Sequence, residues 1–263
     1  MTLNYSSRFW LYAPLALFLG LAAWAMTYWW VVASALDKKL TALNGRQAVP
    51  GITLSYDTKT ISGFPFNIDV VFTGFRIEGA GAHGPFAWQS EKFALHALTY
   101  GAVRQIYEMA GQQALSWQDG SGKSHHITFL PATMRASADL NAKGLNRFDL
   151  DIMGAGGKDS DGAPFTIARA QFHMRHDPKL DALDLMVSAD QVKTSSLSFN
   201  SLSAYSTLSH GAVLAPLLSG AQSWPEAVAV WHAAGGSPQA GRQAADSGMD
   251  IAGVTEKVLS PLY

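Results

Sequence analysis

Several strings in this chain have the spelling of a site. Gly79-x-Gly81-x-x-Gly84 spells a dinucleotide fingerprint. Such a loop cradles a pyrophosphate only where a strand leads into it and a helix leads out. Here the flanks alternate as antiparallel strands do, so the string reads as a glycine-rich hairpin loop. Gly156-Gly157-Lys158-Asp159 shares only its Gly-Lys pair with a phosphate loop. Ile152 stands where that loop needs glycine, and Asp159 stands where a Ser or Thr would meet Mg²⁺. Asp159-Ser160-Asp161-Gly162 opens like a calcium loop, but Ala170 takes the place of its bidentate Glu, leaving a polar turn. His173-x-x-His176 could share a metal only from one face. On a strand, residues three apart point to opposite faces, and the adjacent His125-His126 diverge as well. The sequence has no Gly-x-Ser-x-Gly elbow and no cysteine, which removes thiolate catalysis, disulfides and cysteine-ligated metals. These readings assign no catalytic residue, no metal ligand and no cofactor.

The most distinctive local string is Ser62-Gly63-Phe64-Pro65-Phe66. Gly63 permits a bend. Pro65 fixes its own φ and holds Phe64 extended, so Phe64 and Phe66 project to one side. A strand entry explains this string; a contact with lipid or a partner is its functional reading.

The elements that would position such residues begin with an uncharged run. Phe9 to Leu36 contains no Asp, Glu, Lys or Arg and exceeds the roughly 20 residues needed to cross a bilayer. Trp10 and Tyr12 near one end, and Tyr28, Trp29 and Trp30 near the other, form the aromatic belts of a spanning helix. Ala33-Ser34-Ala35 keeps a cleaved signal open as the alternative, although the run is long for one. Arg8 on one side and Lys38-Lys39 on the other give a weak orientation bias. The N-terminus is expected inside, with the polar domain translocated.

The rest of the chain changes period. Ile52, Leu54 and Tyr56 alternate with polar residues, as do Ile68, Val70 and Phe72. After Gly74 the apolar phase slips by one residue to Phe75 and Ile77, which predicts a bulge or bend. Phe148/Leu150/Ile152, Ala170/Phe172/Met174 and Leu183/Leu185/Val187 alternate in the same way, with Asp149, Asp151 and Asp184 on the polar phase. This is the pattern of antiparallel sheet with one apolar and one wet face. Helices are expected at 104–114 and 225–234, the latter with Pro225 in its first turn. The expected fold is mainly β: an antiparallel, curved or sandwich-like sheet with a few short helices and one N-terminal transmembrane helix. Its divisions are 1–8 as a short tail, 9–36 as the anchor, 37–51 as a linker, 52–236 as the β-rich domain and 237–263 as a flexible or weakly helical tail. A net charge of −1 over 263 residues points away from nucleic acid and from a polybasic membrane patch.

A short N-terminus, one membrane helix with late tryptophans, Gly63-Phe64-Pro65-Phe66 opening a strand and a later Trp231-x-x-x-Gly235-Gly236 together resemble the DUF2125 domain family, loosely over residues 8–236. The resemblance implies inner-membrane-anchored periplasmic proteins of bacteria, distantly similar in style to AsmA-like β-sheet proteins linked to outer-membrane lipid homeostasis. It implies no established activity. After Gly236 the family tends to continue with further strands, whereas Ser237–Tyr263 is rich in Ala, Gly and Ser.

The expected function is that of a non-enzymatic, membrane-anchored envelope protein whose sheet face binds lipid or another hydrophobic ligand. Phe64, Phe66, Phe72 and Phe172 are the candidate contacts, and residues 9–36 meet the bilayer. An accessory single-span subunit of a larger inner-membrane complex is the alternative, and an uncharacterised enzyme the second. An apolar strand face ordinarily just forms a core. A lipid-carrying sheet would leave an open apolar groove, which a filled sandwich would not.

Overall fold

The computed structural model describes residues 7–81, 83–98, 104–141, 144–195 and 198–240, with backbone alone for 7–11 and 240. Helix α1 (Ser7–Leu43) leads into one antiparallel sheet. Its strands are β1 (Arg46–Val49), β2 (Ile52–Ser55), β3 (Thr58–Ser62), β4 (Asn67–Ala80), β5 (Pro85–Leu98), β6 (Arg104–Gln118) and β7 (Ser124–Leu130), then β8 (Thr133–Asn141), β9 (Gly144–Lys158), β10 (Pro164–Asp177), β11 (Ala182–Lys193) and β12 (Ser198–Ser209). A 3₁₀ turn (Gly211–Leu214), α2 (Ala215–Leu218) and α3 (Trp224–Ala233) follow, and β13 (Pro238–Ala240) returns to pair with β12. Neighbours in sequence are mostly neighbours in space, in the order β1-β2-β4-β5-β6-β7-β9-β10-β11-β12-β13, with β3 on β4 and β8 between β6 and β9. The fold expected from the alternation is therefore present as one large sheet.

A crease crosses this sheet. Inward-facing parity slips by one residue in β4, β5, β9 and β11, from Phe72 to Phe75, Ser90 to Phe93, Ile152 to Ala155 and Ala189 to Val192. The slips line up in register. Asp57, between β2 and β3, lies opposite Gly74; Gly74 lies opposite Glu91; Gly154 lies opposite Ala168, and Ala168 opposite Gln191. Gly74 (φ 59°), Gly111 (φ 75°), Gly154 (φ 59°) and Gln191 (φ 49°) take left-handed backbone here, which bends a strand and re-aims the residues beyond it. The phase slip at Gly74 is thus one part of a bend shared by the whole sheet. The breaks between β2 and β3 and between β7 and β8 fall on the same line.

Three stretches differ from their sequence reading. Residues 104–114 form the first part of β6, not a helix. Ile106, Tyr107, Met109 and Ala110 imitate helical spacing, but pairing with β5 and β8 fixes the segment as strand, and Gly111 supplies the irregularity. Pairing partners override local propensity in such segments. The region read as a linker, 37–51, is helical to Leu43 and then forms β1. The helix read at 225–234 is present as α3, where the Glu226 carboxylate accepts hydrogen bonds from the Ser223 N–H (3.1 Å) and hydroxyl (2.7 Å), a cap on its first turn. Pro238–Ala240 of the stretch read as a tail is strand, and residues 241–263 lie outside the described residues.

Both ends of the inner face are covered. Val32, Leu36 and Leu40, one above another on α1, pack on Tyr56, Ile68, Val70, Phe72 and Phe75. At the other end Leu183 and Leu208 are covered by Leu214, Ala227 and Trp231, and the Trp231 indole N–H donates to the Ser209 carbonyl at 2.6 Å. A side chain at Gly236 would collide with that indole, so the Trp and second Gly of the late motif are one packing unit.

Candidate functional site

The middle of the inner face is different. Its cluster, Met109, Met134 and Ala136 ringed by Trp88, Phe93, Tyr107, Phe129, Phe148, Leu150 and Ile152, is drawn from strands alone. Cross-strand register explains the grouping: Phe93 pairs with Met109, Met109 with Met134 and Met134 with Ile152, while Tyr107 pairs with Ala136 and Ala136 with Leu150. Curvature brings Ile77 and Phe86 round to the same space as Phe148. The result is a cavity of about 440 Å³ lined by Ile77, Phe86, Trp88, Phe93, Tyr107, Met109, Met134, Ala136, Phe148 and Leu150. The polar side-chain groups of that lining are the Trp88 indole N–H and the hydroxyl of Tyr107, which donates to Gln105 Oε1 at 2.6 Å. Burial pushes the Tyr107 pKa up, so it stays neutral.

A second cavity, about 580 Å³, lies where the β4–β5 hairpin, the β1–β2 turn and the α2–α3 connection meet. Val49, Ile52, Leu115, Trp117, Leu217 and Trp224 line it, with His83, Gln118 and Gln222 as its polar members. Phe86 lines both cavities. Both volumes are in the range of small-molecule sites, which are mostly apolar with a few polar groups.

The outer face is a ladder of matched charges. Arg104 Nε donates to Asp139 at 2.8 Å, Arg169 Nε to Asp151 at 2.8 Å, and Arg147 Nε to Asp149 at 2.7 Å. His173 Nδ1 also meets Asp149 at 2.7 Å, while His176 stands in register with inner-face Leu183, so the two histidines diverge. Burial pushes the Asp149 pKa up, but hydrogen bonds from Arg147 and His173 outweigh it and hold the group below its ordinary value. The Arg104 hydrogen bond lowers Asp139 in the same direction. These carboxylates are held ionised by their partners, which suits a solvated structural face rather than proton transfer.

Gly156, Gly157 and Lys158 are the last residues of strand β9, and a turn follows them. Asp119 and Asp159 build the same hairpin loop: Asp119 Oδ1 accepts from the N–H of Ser121 (2.9 Å) and Lys123 (3.0 Å), and Asp159 Oδ1 from Asp161 (3.0 Å) and Ala163 (2.9 Å). The string from Gly79 to Gly84 caps the β4–β5 hairpin.

Of the residues singled out in the sequence, Phe72 is 3% exposed in the core under α1 and offers nothing to a ligand. Phe172 packs against Phe148, 6.1 Å between rings, one shell behind the cavity wall. Phe64 and Phe66 sit outside the sheet on the β3–β4 loop, beside Trp29. Tyr12, Tyr28 and Trp30 are exposed on α1; Trp10 is in α1 with its side chain outside those described. Sequence reasoning missed Phe86, Trp88, Tyr107, Met109 and Met134. The signal was the parity slip between Trp88 and Phe93, the same sign that Gly74 gives, and it was obscured by reading 104–114 as helix.

Fold and site define a class: one concave antiparallel sheet with an open apolar centre, joined to a helix long and apolar enough to cross a membrane. The profile of the bacterial family described as "Uncharacterized protein conserved in bacteria (DUF2125)" matches residues 29–255, and the chain belongs to that family. No curated protein and no solved structure matches it.

Proposed function

We propose that this protein is a non-enzymatic, bilayer-anchored binder of an apolar ligand, an acyl chain of a lipid in the first instance. In this reading α1 holds it in the bacterial inner membrane with the sheet on the periplasmic side. The observation that supports it is the strand-lined cavity of about 440 Å³, joined through Phe86 to a second one of about 580 Å³. A core that had only to be stable would fill this space, because each void loses contacts and hydrophobic free energy. Neither lining contains an Asp, Glu, Lys or Arg, which suits a hydrocarbon chain whose headgroup stays in water.

The test compares lipid extracted from the full-length protein with that from Ala136→Trp, which fills the cavity while leaving the anchor and its annular lipid unchanged. The expected result is a stoichiometric lipid component in the natural sequence that the variant lacks, with both sheets intact by circular dichroism. Equal lipid content in the two proteins defeats the reading.

A further inference from the structure

The apolar run of α1 divides at its late tryptophans. Large side chains from Tyr12 to Val31 other than Trp29 are exposed, whereas Ala33 is buried and Val32, Leu36 and Leu40 pack on the sheet. From Tyr12 to Trp30 the helix rises about 27 Å, close to the thickness of a hydrocarbon core. The membrane boundary set by the helix therefore falls near Trp30.

The Gly63–Phe66 loop is tied to that level. The Trp29 indole N–H donates to the Asn67 carbonyl at 2.8 Å, and the Trp29 ring meets Phe64 edge-on, 5.8 Å between centroids. The loop is tight: Gly63 has φ 101°, a side chain there would press on the Asn67 carbonyl at 2.8 Å, and the Asn67 N–H donates to the Gly63 carbonyl at 2.9 Å. With its geometry so fixed, the loop leaves Phe64 48% and Phe66 62% exposed, and Phe64 lines one shallow recess with Trp30, itself 66% exposed. An aromatic patch of this kind facing water is costly, and one level with a membrane interface is favoured.

We propose that this loop is a second bilayer contact, with Phe64 and Phe66 seated in the lipid interface beside Trp30. The sheet then stands with its β3–β4 end on the membrane, and the Phe86 cavity mouth, at the β4–β5 hairpin, is held away from it. This rests on the anchoring part of the proposed function and not on the ligand.

The chain has no cysteine, so single spin labels can be placed by Leu19→Cys, Phe66→Cys and Lys123→Cys in the full-length protein in nanodiscs of phosphatidylcholine and phosphatidylglycerol. Phe66 is exposed, so its replacement does not threaten the fold. The measurement is the accessibility of each label to oxygen and to a water-soluble nickel chelate. Labels at 19 and 66 are expected to favour oxygen, and the label at 123, on the β6–β7 turn, to favour nickel. A label at 66 as open to nickel as that at 123, with 19 still favouring oxygen, overturns the second contact and leaves the anchor standing. A label at 19 open to nickel overturns both.

Discussion

The Glu91 carboxylate occupies the space that a side chain at Gly111 would need, and accepts a hydrogen bond from the Gln112 N–H at 3.0 Å. Asp57 stands over Gly74 in the same way on the neighbouring pair of strands. At Gly74 and Gly111 the crease is thus a left-handed glycine roofed by a carboxylate. Gly111→Ala must adopt φ 75° with a Cβ, at about 1–2 kcal/mol, and must also displace Glu91. We expect a loss of about 2 kcal/mol or more in chemical denaturation. Adding Glu91→Ala should recover part of it, because residues in contact couple. Additive losses would show that the carboxylate is not the obstacle.

Phe86 belongs to both cavities, so its size sets their connection. Phe86→Ala should raise binding of a fluorescent apolar probe, and Phe86→Trp should lower it, with little change in the far-ultraviolet circular dichroism of either. Uptake unchanged by both variants would place the probe elsewhere.

Acid sensitivity follows from the outer face. Asp149 and Asp139 have pKa values below the ordinary carboxylate range in the folded chain. A carboxylate depressed by folding adds stability that is fully present above its unfolded value, about 4, and is lost as pH falls through the folded value. The Tm is expected to hold from neutral pH to about 5 and to fall below about 4. Asp149→Asn should lower the Tm at pH 7 and flatten the acid limb, since Arg147 and His173 then lack their anion. A variant whose Tm falls equally at pH 7 and pH 3 would refute the linkage.

The strand phases of Ile68–Phe72, Phe148–Ile152 and Ala170–Met174 were legible because one residue in two faces the core, and that period survives any neighbour. The anchor was legible from length and lack of charge. What escaped was long-range. Residues 104–114 imitate a helix until β5 and β8 are known to flank them. Phe72 and Phe93 carry the same local signature, yet Phe72 lies in the core beneath α1 and Phe93 lines an open cavity, because only the fold decides where α1, α2 and α3 lie. The two family strings gain a physical meaning only in three dimensions: Gly63-Phe64-Pro65-Phe66 meets α1 through Trp29, and Trp231 with Gly236 seats α3.

The Trp29–Asn67 hydrogen bond joins helix to sheet. Trp29→Phe keeps an aromatic ring beside Phe64 but removes the donor, worth about 1 kcal/mol, together with part of the indole's packing surface. Faster amide exchange through residues 63–70, with the 182–209 hairpin unchanged, is the expected result. Uniform acceleration of both regions would mean that the bond supports the whole sheet.

The division of α1 also separates the anchor from the alternative of a subunit held by helix contacts. Replacing residues 9–31 by a neutral polyleucine span removes the exposed aromatics Tyr12, Phe18, Trp24, Tyr28 and Trp30 together with Trp29, and spares Val32, Leu36 and Leu40. If α1 serves as a tether, the swapped protein should keep its membrane fraction and its extractable lipid, and lose only the stability that the Trp29–Asn67 bond supplies. Loss of a co-purifying membrane protein on the swap, with lipid unaffected, would favour the subunit reading. Val32, Leu36 and Leu40 should behave oppositely. Each covers the Phe72–Phe75 cluster, and burial of such a side chain is worth up to about 3 kcal/mol. Leu36→Ala should therefore destabilise the sheet in denaturant even though it lies within the apolar run, while Leu19→Ala should leave the sheet's unfolding midpoint where it was.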